Sequence, residues 1–139
     1  MAEPIASTGF GTLRPIRLAS VNVDEQGESY FGEVEAAEPP GADGRTPVER
    51  LFPLTSWQVW ETKPGYFSDF KPADAPKALA IMSGRLEVTV STGEKRYFSR
   101  GDLFLLQDIA GKGHAIRTIG KETASVMLMT LKNVMSEKR

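Results

Sequence analysis

From Leu79 onward, apolar and polar positions alternate in short, regularly punctuated runs. Leu86, Val88 and Val90 fall on one side, with Arg85, Glu87 and Thr89 on the other. Period two over six residues predicts a half-buried strand. Before it, Leu79 to Met82 is apolar, and Ser83-Gly84 turns the chain. After it, Ser91 to Glu94 reads as a hairpin turn and Lys95 to Phe98 as the returning strand. Ser99 to Asp102 turns again. Leu103 to Leu106 is apolar on both faces, which predicts a strand between layers. Turns at this spacing predict a sandwich or closed barrel.

The rest of the chain follows the same rule. Ile16 to Val23 and Tyr30 to Val34 read as a hairpin joined through residues 24–29. Residues 36–47 carry three prolines and two glycines, which predicts a loop rather than a domain boundary. Leu51 to Leu54 is a short apolar run. Ser56 to Thr62 is a strand with Trp57 on one face and Trp60 on the other, so both faces are expected to be covered. Tyr66 to Ala78 is broken by prolines and reads as irregular. Ala115 to Ile119 and Thr123 to Leu131 are the last strands. No segment keeps helical periodicity over three turns, and no internal repeat is present. The reading is all-β, in one domain spanning 14–131, with a flexible tail at 1–13 and a charged tail at 132–139.

Composition narrows the chemistry. The 139 residues carry a net charge of −1, so no electrostatic footprint for nucleic acid is present. With no cysteine, disulfides, thiolate nucleophiles and cysteine metal sites are excluded, and a reducing compartment, the cytoplasm, is expected. No apolar window is long enough for a membrane helix, so no membrane partner is expected. The N-terminal residues lack a basic region followed by an apolar run, which predicts no signal peptide. No phosphate-binding glycine loop or nucleophile elbow is found.

Gly84 closes a strand, Gly101-Asp102 opens a turn, and residues 107–114 read Gln-Asp-Ile-Ala-Gly-Lys-Gly-His. This set resembles the two bracketing motifs of the cupin family. The last of them is similar to the form found in small bacterial single-domain cupins, usually written with glutamate in first place. The resemblance is clear over about 66–131 and weaker over 14–62. It implies a jelly-roll β-barrel. It also implies a homodimer formed through the N-terminal strands, whose edges at Ile16 to Val34 are otherwise open. It does not name an activity, because one fold hosts many.

Metal-binding cupins take two histidines and a glutamate from the first motif and a histidine from the second. Counting back from Gly84, the family spacing puts the glutamate position at Lys77 and the histidine positions near Lys71 and Ala73. His114 fills the fourth position and is the chain's only histidine. An ammonium does not coordinate a cation, so no metal and no cofactor is expected. Asp69, Asp74 or Asp108 would at most join His114 in a weak site.

Lysines at those positions suit an anion instead, each offering three donors and a full charge. The alternative is that Lys71 and Lys77 simply point to solvent. Ala110 to Gly113, with Gly111 and Lys112 at its centre, is a candidate backbone nest for the same anion. His114 is a candidate general acid or base, oriented by Asp108, or a structural histidine bonded to that carboxylate or to a carbonyl. Arg117, three residues on, faces away. Trp57 or Trp60, with Tyr66 and Phe70, lines the barrel mouth or packs in the core.

Three functions are consistent with these residues. The first is a metal-independent isomerase, epimerase, cyclase or lyase acting on a small acidic or aromatic metabolite. The second is a sensor or storage module that binds such a molecule without turnover. The third is a metal-dependent dioxygenase, which the missing ligands disfavour.

Overall fold

The alternating runs become two facing sheets in the computed structural model, which describes residues 16–36 and 53–134. The terminal tails and the 36–47 loop fall outside those residues except at their margins. Ten strands follow in order: β1 (Ile16–Val23), β2 (Ser29–Ala36), β3 (Leu54–Thr62), β4 (Phe67–Lys71), β5 (Lys77–Ser83), β6 (Arg85–Val90), β7 (Lys95–Ser99), β8 (Leu103–Leu106), β9 (His114–Ile119) and β10 (Ala124–Leu131). No helix occurs among the described residues. In particular, none contains a helix long and apolar enough to cross a membrane.

One sheet has the order β2-β1-β8-β5-β10-β3 and the other β4-β9-β6-β7. The architecture is an all-β jelly roll. Among the described residues the two sheets face each other without joining into a single hydrogen-bonded cylinder. Neighbours pair antiparallel except β1 and β8, which run parallel through Ala19↔Phe104, Ser20↔Leu105 and Val21↔Leu106. Parallel neighbours require a long crossover. Here 79 residues or more of chain intervene, and no local pattern announces the pairing.

Between the sheets, Val21, Leu79, Ile81, Leu86, Val88, Val90, Phe98, Phe104 and Val126 form the core. Phe98 and Phe104 reach across from opposite sheets and stack with centroids 4.0 Å apart. Strand alternation puts Leu18, Ala78 and Leu105 on the other face of the larger sheet, in a second cluster with Val34 and Leu131. β8 carries side chains into both clusters, which is why its sequence is apolar on both faces.

The irregular reading of Tyr66 to Ala78 is corrected. Residues 67–71 form a strand paired with β9. The pairing runs Phe67↔Arg117 and Ser68↔Ile116, then shifts so that Lys71 opposes His114. One extra residue on β4 makes this a bulge, which re-aims the side chains beyond it. The bulge breaks period two, and the strand is mostly exposed, so the sequence pattern that reveals the other strands is missing here. A second expectation also fails. β3 is an edge strand, and Trp57 and Val59 on its outer face are 62% and 53% exposed rather than covered.

Candidate functional site

At one end of the space between the sheets, the dry core gives way to a cavity of about 470 Å³. Its walls follow from strand alternation. β3 contributes Gln58, Trp60 and Thr62, the face opposite Trp57. β10 contributes Val126, Leu128 and Thr130, and β5 contributes Lys77 and Leu79. From the smaller sheet come Ser68 and Lys71 of β4 and His114 and Ile116 of β9. The size suits a small metabolite, and the lining combines apolar walls with few polar groups, as ligand sites usually do.

The bulge in β4 places Lys71 directly across from His114. Gly113 makes this approach possible. It has a φ of 79°, and a Cβ built there would fall inside the Lys71 carbonyl group. Lys77 opens β5 and donates to Thr130 Oγ1 at 3.2 Å, with the Asp74 carboxylate 3.1 Å away. That ammonium holds the Asp74 carboxyl below the ordinary carboxylate range. Ala73 also lines the cavity, so all three positions at which the family resemblance implies metal ligands, 71, 73 and 77, face the same space as His114.

His114 is almost fully buried, and its Nδ1 lies 2.6 Å from Asp108 Oδ2. Asp108 is completely buried, and its other oxygen has no hydrogen-bond partner among the described residues. The imidazole is therefore the main compensation for that carboxylate. An ionised Asp108 fixes the ring proton on Nδ1 and leaves Nε2 as the acceptor. The same contact orients the ring.

Trp57, Gly111 and Lys112 stand apart from the cavity. Trp57 points out from the edge strand. Lys112 N donates to Gly27 O at 2.8 Å, so this amide serves the β1–β2 turn and not an anion nest. The Lys112 ammonium pairs with Glu28, which also accepts from Ser91 Oγ at 2.7 Å; both bonds hold the Glu28 carboxyl below its ordinary range. Ser29 Oγ donates to Gly113 O at 2.7 Å, and Ser91 N donates to Ser29 Oγ at 2.7 Å. These bonds clamp the loop before His114 between two hairpin turns. Lysine 112 is thus a tether, a role visible only once the β1–β2 turn is seen beside it.

Trp60 and Tyr66 line the cavity while remaining half exposed, at its mouth. The Trp60 indole Nε1–H donates to Gln58 Oε1 at 2.6 Å. Thr62 and Thr118 hydroxyls meet at 2.7 Å, tying β3 to β9. Phe70 and Asp69 lie outside the lining, and Asp69 accepts from Phe70 N at 2.8 Å. Arg117 sits on the outer face over the Phe67 ring. The sequence reading missed Gln58, Thr62, Ser68 and Thr130. Alternation from Trp60 and from Val126 would have found all but Ser68.

The metal that the family resemblance implies does not fit these residues. Among the described residues, no three His, Cys, Asp or Glu side chains come together to hold an ion. The one imidazole has its Nδ1 engaged by Asp108, and two lysines line the same cavity.

Residues 54–117, a little under half of the chain, match the family model of the EutQ-like cupin domain. No curated protein matches. Among solved structures, a DUF861 family protein from Thermotoga maritima is 21% identical with a TM-score of 0.46, over 54% of this chain and 78% of that one. The cupin domain of Schizosaccharomyces pombe Cnp3 is 18% identical with a TM-score of 0.46, over 88% and 87%. ToxT from Vibrio cholerae O395, bound to (E)-4-(8-methylnaphthalen-1-yl)but-3-enoic acid, is 14% identical with a TM-score of 0.48, over 55% of this chain and 30% of that one.

Proposed function

We propose that this chain, a small domain of the cupin superfamily, binds a small acidic molecule with an apolar or aromatic body between its two sheets. One observation carries the reading: Lys71, Lys77 and His114 line a single cavity whose other walls are Leu79, Leu86, Leu106, Ile116, Val126 and Leu128. Lys77, with its side chain 17% exposed, attracts an anion more strongly than a lysine in bulk water does. The apolar walls and the Trp60 and Tyr66 rings take the ligand's body.

His114 extends the proposal to chemistry. With Asp108 fixing the ring, Nε2 is set to take a proton from a bound acid and return it at another atom, while Lys71 stabilises the negative charge that develops. This supports a metal-independent isomerase, epimerase, cyclase or lyase. A second reading, binding without turnover, is favoured by the ties on Lys77. Its bonds to Asp74 and Thr130 leave His114 without a second free acid or base on that side. The test common to both is a crystal grown from freshly purified protein. Carboxylate or phosphate density within hydrogen-bonding distance of Lys71 or Lys77 is the expected result. A neutral molecule in the cavity, or an anion bound elsewhere, argues against it.

Two further expectations belong to this reading. Purified protein should carry no stoichiometric transition metal, because lysines occupy the positions that would ligate it. Elemental analysis near one iron, manganese, nickel or zinc per chain would overturn that, as would a marked loss of stability on adding a chelator. The chain is also expected to form a two-fold homodimer that covers one of the larger sheet's edges, both unpaired among the described residues. The sequence pointed to the N-terminal hairpin, of which β2 is an edge and β1 is interior. Leu54, Trp57 and Val59 on β3 are the more exposed apolar edge. A monomer mass in analytical ultracentrifugation at micromolar protein would reject dimerisation.

A further inference from the structure

We propose that Asp74 is a built-in competitor for the anion subsite at Lys77, so that a ligand enters that subsite only by displacing a carboxylate of the chain itself. The inference rests on the anion-binding reading of the cavity. Lys77 and Asp74 are an unequal pair. The Lys77 side chain is 17% exposed and held by Thr130 Oγ1, whereas the Asp74 side chain is 87% exposed. The cation is fixed in the cavity wall, whereas the Asp74 carboxylate is solvent-exposed and otherwise bonded to the backbone of its own segment at Asp74 and Ala75.

The backbone around Asp74 does not have to move for this exchange. Pro72 and Pro76 bracket it, and a proline fixes φ. Ala73 N donates to Asp108 O at 3.0 Å, and Leu131 N donates to Pro76 O at 2.8 Å. The segment is pinned at both ends, so Asp74 departs by rotating its side chain into water. Both Asp74 and Lys77 line the cavity, and the site Asp74 vacates is the one a ligand carboxylate takes.

The consequence is selectivity. A neutral ligand offers Lys77 nothing that replaces the lost ion pair, so Asp74 stays and narrows the cavity. A carboxylate or phosphate replaces it on equal terms and gains Lys71 as well. Asp74 therefore rejects neutral isosteres and lowers affinity for anions by the strength of one exposed ion pair. It sets specificity without touching the reacting atoms.

Benzoate is a suitable probe, with a carboxylate for the lysines and a ring for the walls. Its dissociation constant, measured by titration calorimetry at low ionic strength, should tighten about threefold in Asp74→Asn, the scale of an exposed ion pair. Asp69→Asn makes the same change in net charge on a residue outside the cavity and should leave the constant unchanged. In a Lys77→Gln background, adding Asp74→Asn should have no effect. Unchanged or weaker binding in Asp74→Asn, or an equal gain in Asp69→Asn, overturns the inference while leaving the cavity reading intact, provided Lys77→Gln alone weakens binding. If Lys77→Gln does not weaken it, or the unaltered chain shows no saturable benzoate binding, the cavity reading fails and takes this inference with it.

Discussion

Replacing Lys71 and Lys77 together by glutamine is expected to remove most of the stabilisation that an aromatic carboxylate gives this protein. At a benzoate concentration a hundredfold above its dissociation constant, mass action stabilises the unaltered fold by about 2.7 kcal/mol. For a domain of this size that is a melting rise of about 5–10 °C. Hydrogen bonds to charged groups contribute roughly 1.5–3 kcal/mol each. Removing both lysines therefore weakens binding at least a hundredfold, by about 3 kcal/mol or more, and the shift falls to about 1 °C at the same benzoate concentration.

The baseline melting temperature should fall by only a few degrees. Lys71 is exposed, and Lys77 loses an exposed partner in Asp74, a pair worth about 0–1 kcal/mol, and a hydrogen bond to Thr130 Oγ1, worth about 1 kcal/mol. His114→Gln should behave differently. It keeps a polar side chain of similar size, so benzoate binding should survive, while any proton transfer in the cavity is lost. A double lysine variant that responds to benzoate like the unaltered chain would mean the lysines are merely solvated. The site would then be built from Trp60 and Tyr66 and the apolar walls.

The largest effect on stability is expected from Gly113→Ala. Two costs combine there. A left-handed backbone costs an L-residue about 1–2 kcal/mol, and the new methyl group meets the Lys71 carbonyl across the β4–β9 pair. Backbone on both sides prevents easy relief, so a total of roughly 3 kcal/mol or more is expected, lowering the melting temperature by about 6–12 °C. Gly93→Ala is the natural comparison. Its φ is 99°, but a Cβ there meets nothing within 4 Å. It should show only the backbone cost, about 1–2 kcal/mol. Equal melting temperatures for the two variants would show that the close approach of Gly113 to Lys71 is not what holds this corner together.

Much of the smaller sheet and the core could be read directly from the sequence. Period two in Leu86, Val88 and Val90 names a buried face, and all three are at most 3% exposed. The apolar run Leu103 to Leu106 announces a strand between layers. What escaped the sequence was non-local or irregular. The parallel pairing of β1 with β8 joins segments far apart in the chain and leaves no local mark. The β4 bulge hides a strand, and it also decides that Lys71 rather than Phe70 faces His114. The two tryptophans of β3 could be assigned to opposite faces, but which face lay inward depended on the sheet order.

The candidate site divides along the same line. Asp108 lies in the short loop that leads into β9, which His114 opens, and their contact could be read from proximity in the motif. Lys71 and Lys77 came from the family's spacing, and both line the cavity. Lys112 shares the motif with His114 but turns the other way, because the Glu28 carboxylate stands beside it across 84 residues of sequence. Charge alone cannot distinguish a ligand-binding lysine from a tethering one. The neighbour supplied by the fold makes that distinction.

A nuclear magnetic resonance titration of the imidazole of His114 with benzoate tests the central claim most directly. The chain has one histidine, so its ring signals need no separate assignment. The account predicts a saturable shift of the Nε2 signal in the unaltered protein, Nδ1 remaining bound to Asp108, and no shift in the Lys71→Gln, Lys77→Gln protein at the same concentrations. A ring signal indifferent to benzoate, or one that shifts equally with and without the lysines, would contradict it.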